Sequence, residues 1–378
     1  MSIKNYNYLV MSQPQLVHKT LNHVQALRGI AALLVMLAHL YDAELKYSPD
    51  QFLGGWTIYG NAGVDLFFLI SGFIMVYVTS NRDRGFKPAL EFLVSRAGRI
   101  YPLYWIVTLA VLVVAFIRPS MVFSSREIDP VLWKSFLLVP DMTPPLLLVG
   151  WTLIFEMYFY LVFSCLMFFK KTWVMPGLIV WVMVICLGRY LGLHAAGPVA
   201  EVLFNPFVFE FFAGTSVAYL LQIKPAIITR LLNPKNLFLI GALIACLWGA
   251  VIWALSEFPT TIALRVSVFT LPAALTILYA ASRDLSNLSI WKPLIVLGNW
   301  SYALYLTHIL SVAVIGRVWK KFMVQGPIDN VVALIAMTTF SIGVAGLTFM
   351  LIERPIMTGI QKLRRKLFHS AAEKGLAS

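Results

Sequence analysis

The stretch QALRGIAALLVMLAHLYDAE, residues 25–44, is apolar enough to be a membrane span, yet it holds Arg28 and His39. Ionisable side chains are costly in lipid and turn toward a protein or water-filled interior, so both residues mark a place for polar chemistry. Histidine is the side chain whose ordinary pKa suits proton transfer near neutrality, which makes His39 a candidate general base. Arginine binds phosphates and carboxylates through paired, charge-assisted hydrogen bonds, and at a span end it also serves as a snorkelling anchor. Eleven helical steps of about 100° bring His39 to within about 20° of the face of Arg28, about 16 Å further along the axis. The two side chains therefore share one stripe, and a ligand touching both must be long and threaded along the helix.

The same test picks out Asp65 in GVDLFFLISGF, Glu156 in WTLIFEMYFY, Glu210 in NPFVFEFFAG and His308 in SYALYLTHIL. Costly one by one, these groups make most sense around a shared polar cavity, either a reaction site or a proton path. Ser71 in ISGF is an intramembrane hydroxyl placed to act as a nucleophile or to pack one helix on another. Arg96 and Arg99 in SRAGRIYPLYW lie three residues apart, on one face if helical, and Glu353 with Arg354 closes the last span. Beside a cavity mouth such arginines suit a phosphorylated cofactor, whereas topology and anionic lipid are the plainer reading. No Gly-rich phosphate loop, HExxH metal motif or GxSxG elbow occurs, and no metal is expected. Cys165, Cys186 and Cys246 are scattered through apolar runs and are expected to be packing residues.

The elements that must position these residues are membrane helices. Of 378 residues, 60% are apolar and only 12% charged, and the mean hydropathy is +0.80, far outside the range of soluble domains. At about 1.5 Å per residue, the apolar runs are long enough to cross about 30 Å of hydrocarbon. They place spans near 24–42, 59–79, 100–117, 146–169, 174–192, 201–223, 237–256, 262–282, 297–317 and 331–352, in an all-α bundle of about ten transmembrane helices. Residues 1–23 contain Lys4 and Lys19 and lack the core and cleavage site of a secretory signal, so the first span is expected to be uncleaved.

The net charge of +13 does not indicate nucleic-acid binding, because most of it falls in alternate loops. Arg82, Arg84, Lys87, Arg96 and Arg99 follow span two, Lys170 and Lys171 follow span four, Lys224, Arg230 and Lys235 follow span six, and Lys362, Arg364, Arg365 and Lys366 end the chain. The positive-inside rule then puts both termini in the cytoplasm, with Arg317, Lys320 and Lys321 after span nine as the exception. The opposite loop Arg118 to Pro145, with VLWKSFLLVP and the turn TPP, is expected to lie along the interface as a lid. The domains read as a cytoplasmic segment 1–23, a transmembrane domain 24–354 and a basic cytoplasmic tail 355–378.

In order along the chain, LRGIAALLVMLAH, GVDLFFLISGF, RAGRIYPLYW, WTLIFEMYFY, NPFVFEFFAG, GNWSYALYLTH and the terminal IERP resemble the membrane acyltransferase 3 family. Within that family the chain resembles the exopolysaccharide O-acetyltransferases described as ExoZ-like. Each motif is short, but seven in order cover almost the whole chain.

The resemblance implies a domain of about ten helices moving acyl groups, most often acetyl from acetyl-CoA, onto sugars of surface polysaccharides or their lipid-linked precursors. It implies His39 as catalytic base, Arg28 as a donor-site or catalytic residue, Arg96 and Arg99 as cofactor contacts, and Glu156 as the first glutamate of the fourth-helix motif. Met157 stands where many members carry a second glutamate. The expected site is then His39, Arg28, Asp65 and Glu156 for catalysis and Arg28, Arg96 and Arg99 for the donor, with Ser71, Glu210, His308 and Glu353 as further cavity residues. In this reading Asp65 or Glu156 orients His39, the partners are the bilayer and a glycan or lipid-linked saccharide acceptor, and a bacterial inner membrane is the expected location. A transporter or flippase for a sugar or lipid-linked glycan is the rival reading, although inverted repeats and paired broken helices are not visible. A scaffold within a polysaccharide-assembly complex is a third, in which the intramembrane polar residues are replaceable.

Overall fold

The computed structural model describes residues 20–48, 50–123, 129–223, 234–255, 257–286, 288–322 and 326–374. Among these residues the chain is helical and contains no strand. The long helices are α1 (Asn22–Tyr47), α2 (Ala62–Thr79), α3 (Phe86–Ile117), α4 (Gly150–Leu166), α5 (Val174–Tyr190), α6 (Phe207–Ile223), α7 (Pro234–Ala254), α8 (Ile262–Leu285), α9 (Lys292–Phe322) and α10 (Pro327–Thr348). A π-helical turn, Phe349–Glu353, joins α10 to α11 (Arg354–Lys374). Eight helical stretches among the described residues are long and apolar enough to span a membrane, and the shorter apolar helices Gly150–Leu166 and Phe238–Ala254 fall on the fourth and seventh expected spans. The chain is an all-α polytopic helix bundle. Lys4, Lys19, Lys224, Arg230 and Ser256 lie outside the described residues.

The packing has the inside-out character that lipid imposes. Phe116, Tyr190, Phe238 and Trp253 are each more than three-quarters exposed, whereas Glu44, Asp65, Glu210 and His308 are buried. Apolar surface costs nothing against acyl chains, and polar groups must find partners inside. The three cysteines, expected as packing residues in apolar runs, are free thiols on exposed faces of their helices.

Without a hydrophobic drive between helices in lipid, close approach depends on small residues. A methyl group added at Gly214 of α6 would overlap the Leu69 carbonyl of α2, and one at Gly72 of α2 would overlap the Phe211 carbonyl of α6. The same reciprocity joins α1 to α9, where Gly29 meets the Gly298 backbone and Gly298 meets the Gln25 carbonyl. Gly214→Ala is expected to push α2 and α6 apart and lower the unfolding temperature in detergent, at a cost of about 1–3 kcal/mol. An unchanged melting curve would mean that the two backbones do not approach this closely.

Several expected boundaries move. Helix α3 begins at Phe86 and carries the basic stretch with Arg96 and Arg99, which the sequence placed ahead of span three. Helix α9 runs on to Phe322, so Arg317, Lys320 and Lys321 occupy its last turns and not a loop. In the expected lid, Arg118 to Pro145, residues 124–128 lie outside the described residues, and the described part holds two short helices, Pro119–Phe123 and Leu132–Leu137. The second is fastened to α3: Tyr104, Tyr101 and Trp105 donate to the carbonyls of Ser135 (2.6 Å), Leu137 (2.9 Å) and Phe136 (2.8 Å). The basic tail forms α11, along α3, where Arg364 and His369 both reach Glu91 (3.5 and 3.2 Å). The first turn of α1 is capped from far along the chain, its His23 and Val24 N–H groups donating to the Asp284 carboxylate of α8 (2.8 and 3.1 Å).

Candidate active site

A cavity of about 320 Å3 opens between α1, α2, α3, α4 and α9. It follows α2 from Val78 to Val64, a rise of about 21 Å over fourteen residues, so it is long and narrow. Arg28 from α1, Arg96 and Arg99 from α3, Ser71 from α2, and Glu156 with Tyr160 from α4 all line it. The helical spacing of Arg96 and Arg99 does put both on its wall.

Within the cavity the polar groups are arranged in two sets. The Glu156 carboxylate accepts from Ser71 Oγ (3.2 Å) and from the Tyr160 hydroxyl, both at the same oxygen. The Ser71 proton is thus held by a carboxylate, and no histidine lines the cavity to act as its base. Arg28 donates to Gln25 Oε1 (3.3 Å), while the Arg96 guanidinium lies over the rings of Phe92 (5.4 Å) and Tyr160 (5.8 Å). Arg96 Nε is buried with no hydrogen-bond partner. Glu353, delivered by the π-helical turn, is near enough to Arg99 and Arg28 to interact with both. Three guanidinium groups face two carboxylates, which leaves an excess positive charge that suits an anion.

His39 does not line this cavity. Its ring sits edge-on to His308 of α9, with centroids 5.0 Å apart. His39 Nδ1–H donates to the Val35 carbonyl (2.8 Å) and His308 Nδ1–H to the Leu304 carbonyl (3.0 Å), since a carbonyl can only accept. Each neutral ring therefore carries its lone pair on Nε2. His308 is buried and its Nε2 has no partner, while His39 is half-buried. Tyr305 is next to both places: it lines the cavity, shares a hydrogen bond with Thr152 Oγ1 (2.8 Å), and lies 6.0 Å from the His308 ring.

Asp65 and Glu210 form a third group. Both Asp65 oxygens are taken by Arg265 of α8 at 2.6–3.0 Å, and Arg265 also donates to the Asn61 carbonyl (2.8 Å). The guanidinium lies between the rings of Phe207 (5.4 Å) and Phe258 (5.3 Å), and Glu210 is buried beside it. The expectation of one shared cavity is thus corrected: the polar residues sort into an arginine-lined cavity, a histidine pair and an ion-paired cluster. Asp65 is committed to Arg265 and Glu156 to Ser71 and Tyr160, so the Val35 carbonyl, and neither carboxylate, orients His39.

Sequence reasoning missed Arg265, Tyr160, Thr152 and Tyr305. Arg265 carries a charge inside an expected span and was open to the same test as His39. Tyr160 is four residues from Glu156 and on its face. Thr152 and Tyr305 have no comparable signal, because hydroxyls are common in membrane helices. No group of three or more metal-ligating side chains occurs among the described residues.

The chain is thus a polytopic membrane bundle whose arginine-lined cavity lies beside a histidine pair. The acyltransferase domain family, acyltransferase 3, matches residues 21–350, and the chain belongs to it. It is 31% identical over 319 residues to the exopolysaccharide production protein ExoZ of Rhizobium meliloti (strain 1021), covering 79% of this chain and 90% of ExoZ. It is 26% identical to the acyltransferase MdmB of Streptomyces mycarofaciens, over 88% of this chain and 90% of MdmB. Nodulation protein 10 of Rhizobium leguminosarum bv. viciae is 25% identical over 92% of this chain and 95% of its own. No solved structure matches the chain. The protein is a multi-pass membrane enzyme that transfers acyl groups.

Proposed function

We propose that this enzyme is an O-acetyltransferase that moves an acetyl group from acetyl-CoA to a sugar hydroxyl of an exopolysaccharide, another surface glycan or its lipid-linked precursor. The observation that carries the donor reading is the convergence of Arg28, Arg96 and Arg99 on one long cavity that ends beside the histidine pair. Acetyl-CoA has a diphosphate at one end of a narrow pantetheine arm and a thioester at the other. The diphosphate pairs with the three guanidinium groups, and the arm runs along α1 toward His39. Ser71, Glu156 and Tyr160 form a polar wall for the amides of that arm. The glycan acceptor is supported by the name of ExoZ, and the orientation with both termini in the cytoplasm of a bacterial inner membrane by the charge of the loops.

In the reaction, the acceptor hydroxyl attacks the thioester carbonyl while His39 Nε2 takes its proton. The tetrahedral intermediate collapses with the thiolate as leaving group, and the imidazolium returns the proton to that sulfur. The Val35 carbonyl holds His39 in the required tautomer throughout.

Purified protein given isotope-labelled acetyl-CoA and the surface glycan is expected to yield labelled glycan, with Arg96→Ala raising KM for acetyl-CoA by about tenfold or more. Uptake of glycan into vesicles with no label transferred would favour a carrier instead.

A further inference from the structure

Arginines continue beyond the cavity described above. Arg82 and Arg84 lie in the short connection between α2 and α3, outside either helix. Arg82 is close enough to interact electrostatically with Arg96 in the cavity and with Arg364 of α11. Arg364 in turn donates to Ser95 Oγ (3.3 Å), the residue next to Arg96. A line of guanidinium groups thus runs from Arg99 through Arg96 and Arg82 to the α11 surface.

These groups are short of acceptors. Arg82 Nη1 and Arg84 Nε and Nη1 are buried without hydrogen-bond partners, as is Arg96 Nε. Two carboxylates lie at this end: Glu91, shared between Arg364 (3.5 Å) and His369 (3.2 Å), and Asp83, which stands between Arg82 and Arg84 in the chain and is exposed. Burial lowers the Arg82 guanidinium from its ordinary value, with Glu91 opposing that shift and Arg364 adding to it. Buried donors left unpaired cost free energy, and like charges gathered beside them cost more, unless an anion occupies the place.

We propose that Arg82 and Arg84, with Arg364 behind them, form a second phosphate site that holds the terminal 3′-phosphate of coenzyme A while Arg28, Arg96 and Arg99 hold its diphosphate. The inference rests on the acyl-CoA reading and adds to it. Two separated anion sites suit a donor with phosphates at two places. A pantetheine thioester carried on a protein has a single phosphodiester, fills only the inner site and is a poor donor. An anionic phospholipid headgroup offers the same chemistry at this end of the bundle, so the test must separate the two sources.

Protein reconstituted in nanodiscs of phosphatidylcholine alone, and in discs that also contain phosphatidylglycerol, is titrated calorimetrically with coenzyme A and with 3′-dephospho-coenzyme A. The wild type is expected to bind coenzyme A about tenfold more tightly than the dephospho form in both discs. The double variant Arg82→Gln/Arg84→Gln is expected to bind both ligands alike, at the wild-type affinity for the dephospho form, which also shows that it is folded. Equal wild-type affinities, or a variant that loses both ligands to the same degree, would overturn the second site and leave the acyl-CoA reading standing. A variant defect confined to discs with phosphatidylglycerol would assign the arginines to a lipid headgroup and overturn it too. A wild type that binds neither ligand would overturn the acyl-CoA reading itself.

Discussion

His39→Ala is expected to abolish acyl transfer, lowering kcat by about one hundred- to ten-thousand-fold, the range a positioned general base supplies. Coenzyme A binding should survive, because the arginines that line the cavity are on other turns and other helices and His39 is not among the lining residues. Of the two histidines, His39 is the half-buried one with Nε2 free to meet an acceptor, while His308 is enclosed. Calorimetry with coenzyme A alongside a transfer assay separates loss of chemistry from loss of fold. A well-folded His39→Ala enzyme with kcat within about threefold of wild type would remove His39 from the mechanism.

Arg265→Ala should have the largest effect on stability. Asp65 is fully buried and both of its oxygens are held by Arg265, with Glu210 beside them. Removing the guanidinium leaves buried carboxylates without a counter-charge, a loss of about 3–5 kcal/mol. The double change Asp65→Leu/Arg265→Met takes away both charges and should recover much of that loss. Thermal unfolding in detergent measures both. If Arg265→Ala melts like the wild type but is inactive, the cluster serves catalysis, and Asp65 regains the catalytic role expected of it as an intramembrane carboxylate.

The helices were legible in the sequence because lipid demands long apolar runs, and the spacing of Arg96 with Arg99 was enough to put both on one face. The partition of the polar residues was not legible. Asp65, Glu156 and His39 all read as charges in spans, but their partners come from α8, α2 and α9, and periodicity along one helix says nothing about which neighbour it faces. Arg28 and His39 stand eleven residues apart on α1, yet only Arg28 lines the cavity, and His39 is reached past Tyr305 of α9, which lines the cavity and lies 6.0 Å from the His308 ring. Glu353 reaches the arginines through a π-helical turn, a local departure with no sequence signature here.

The central claim is that the arginine-lined cavity is the donor site and points its thioester at His39. An experimentally determined structure of the enzyme with coenzyme A bound tests it most directly. The diphosphate is expected against Arg28, Arg96 and Arg99, with the sulfur beyond Ser71 at the Tyr305 end, next to the histidine pair. Coenzyme A bound outside this cavity, or lying in it with its sulfur at the Val78 end, would contradict the claim.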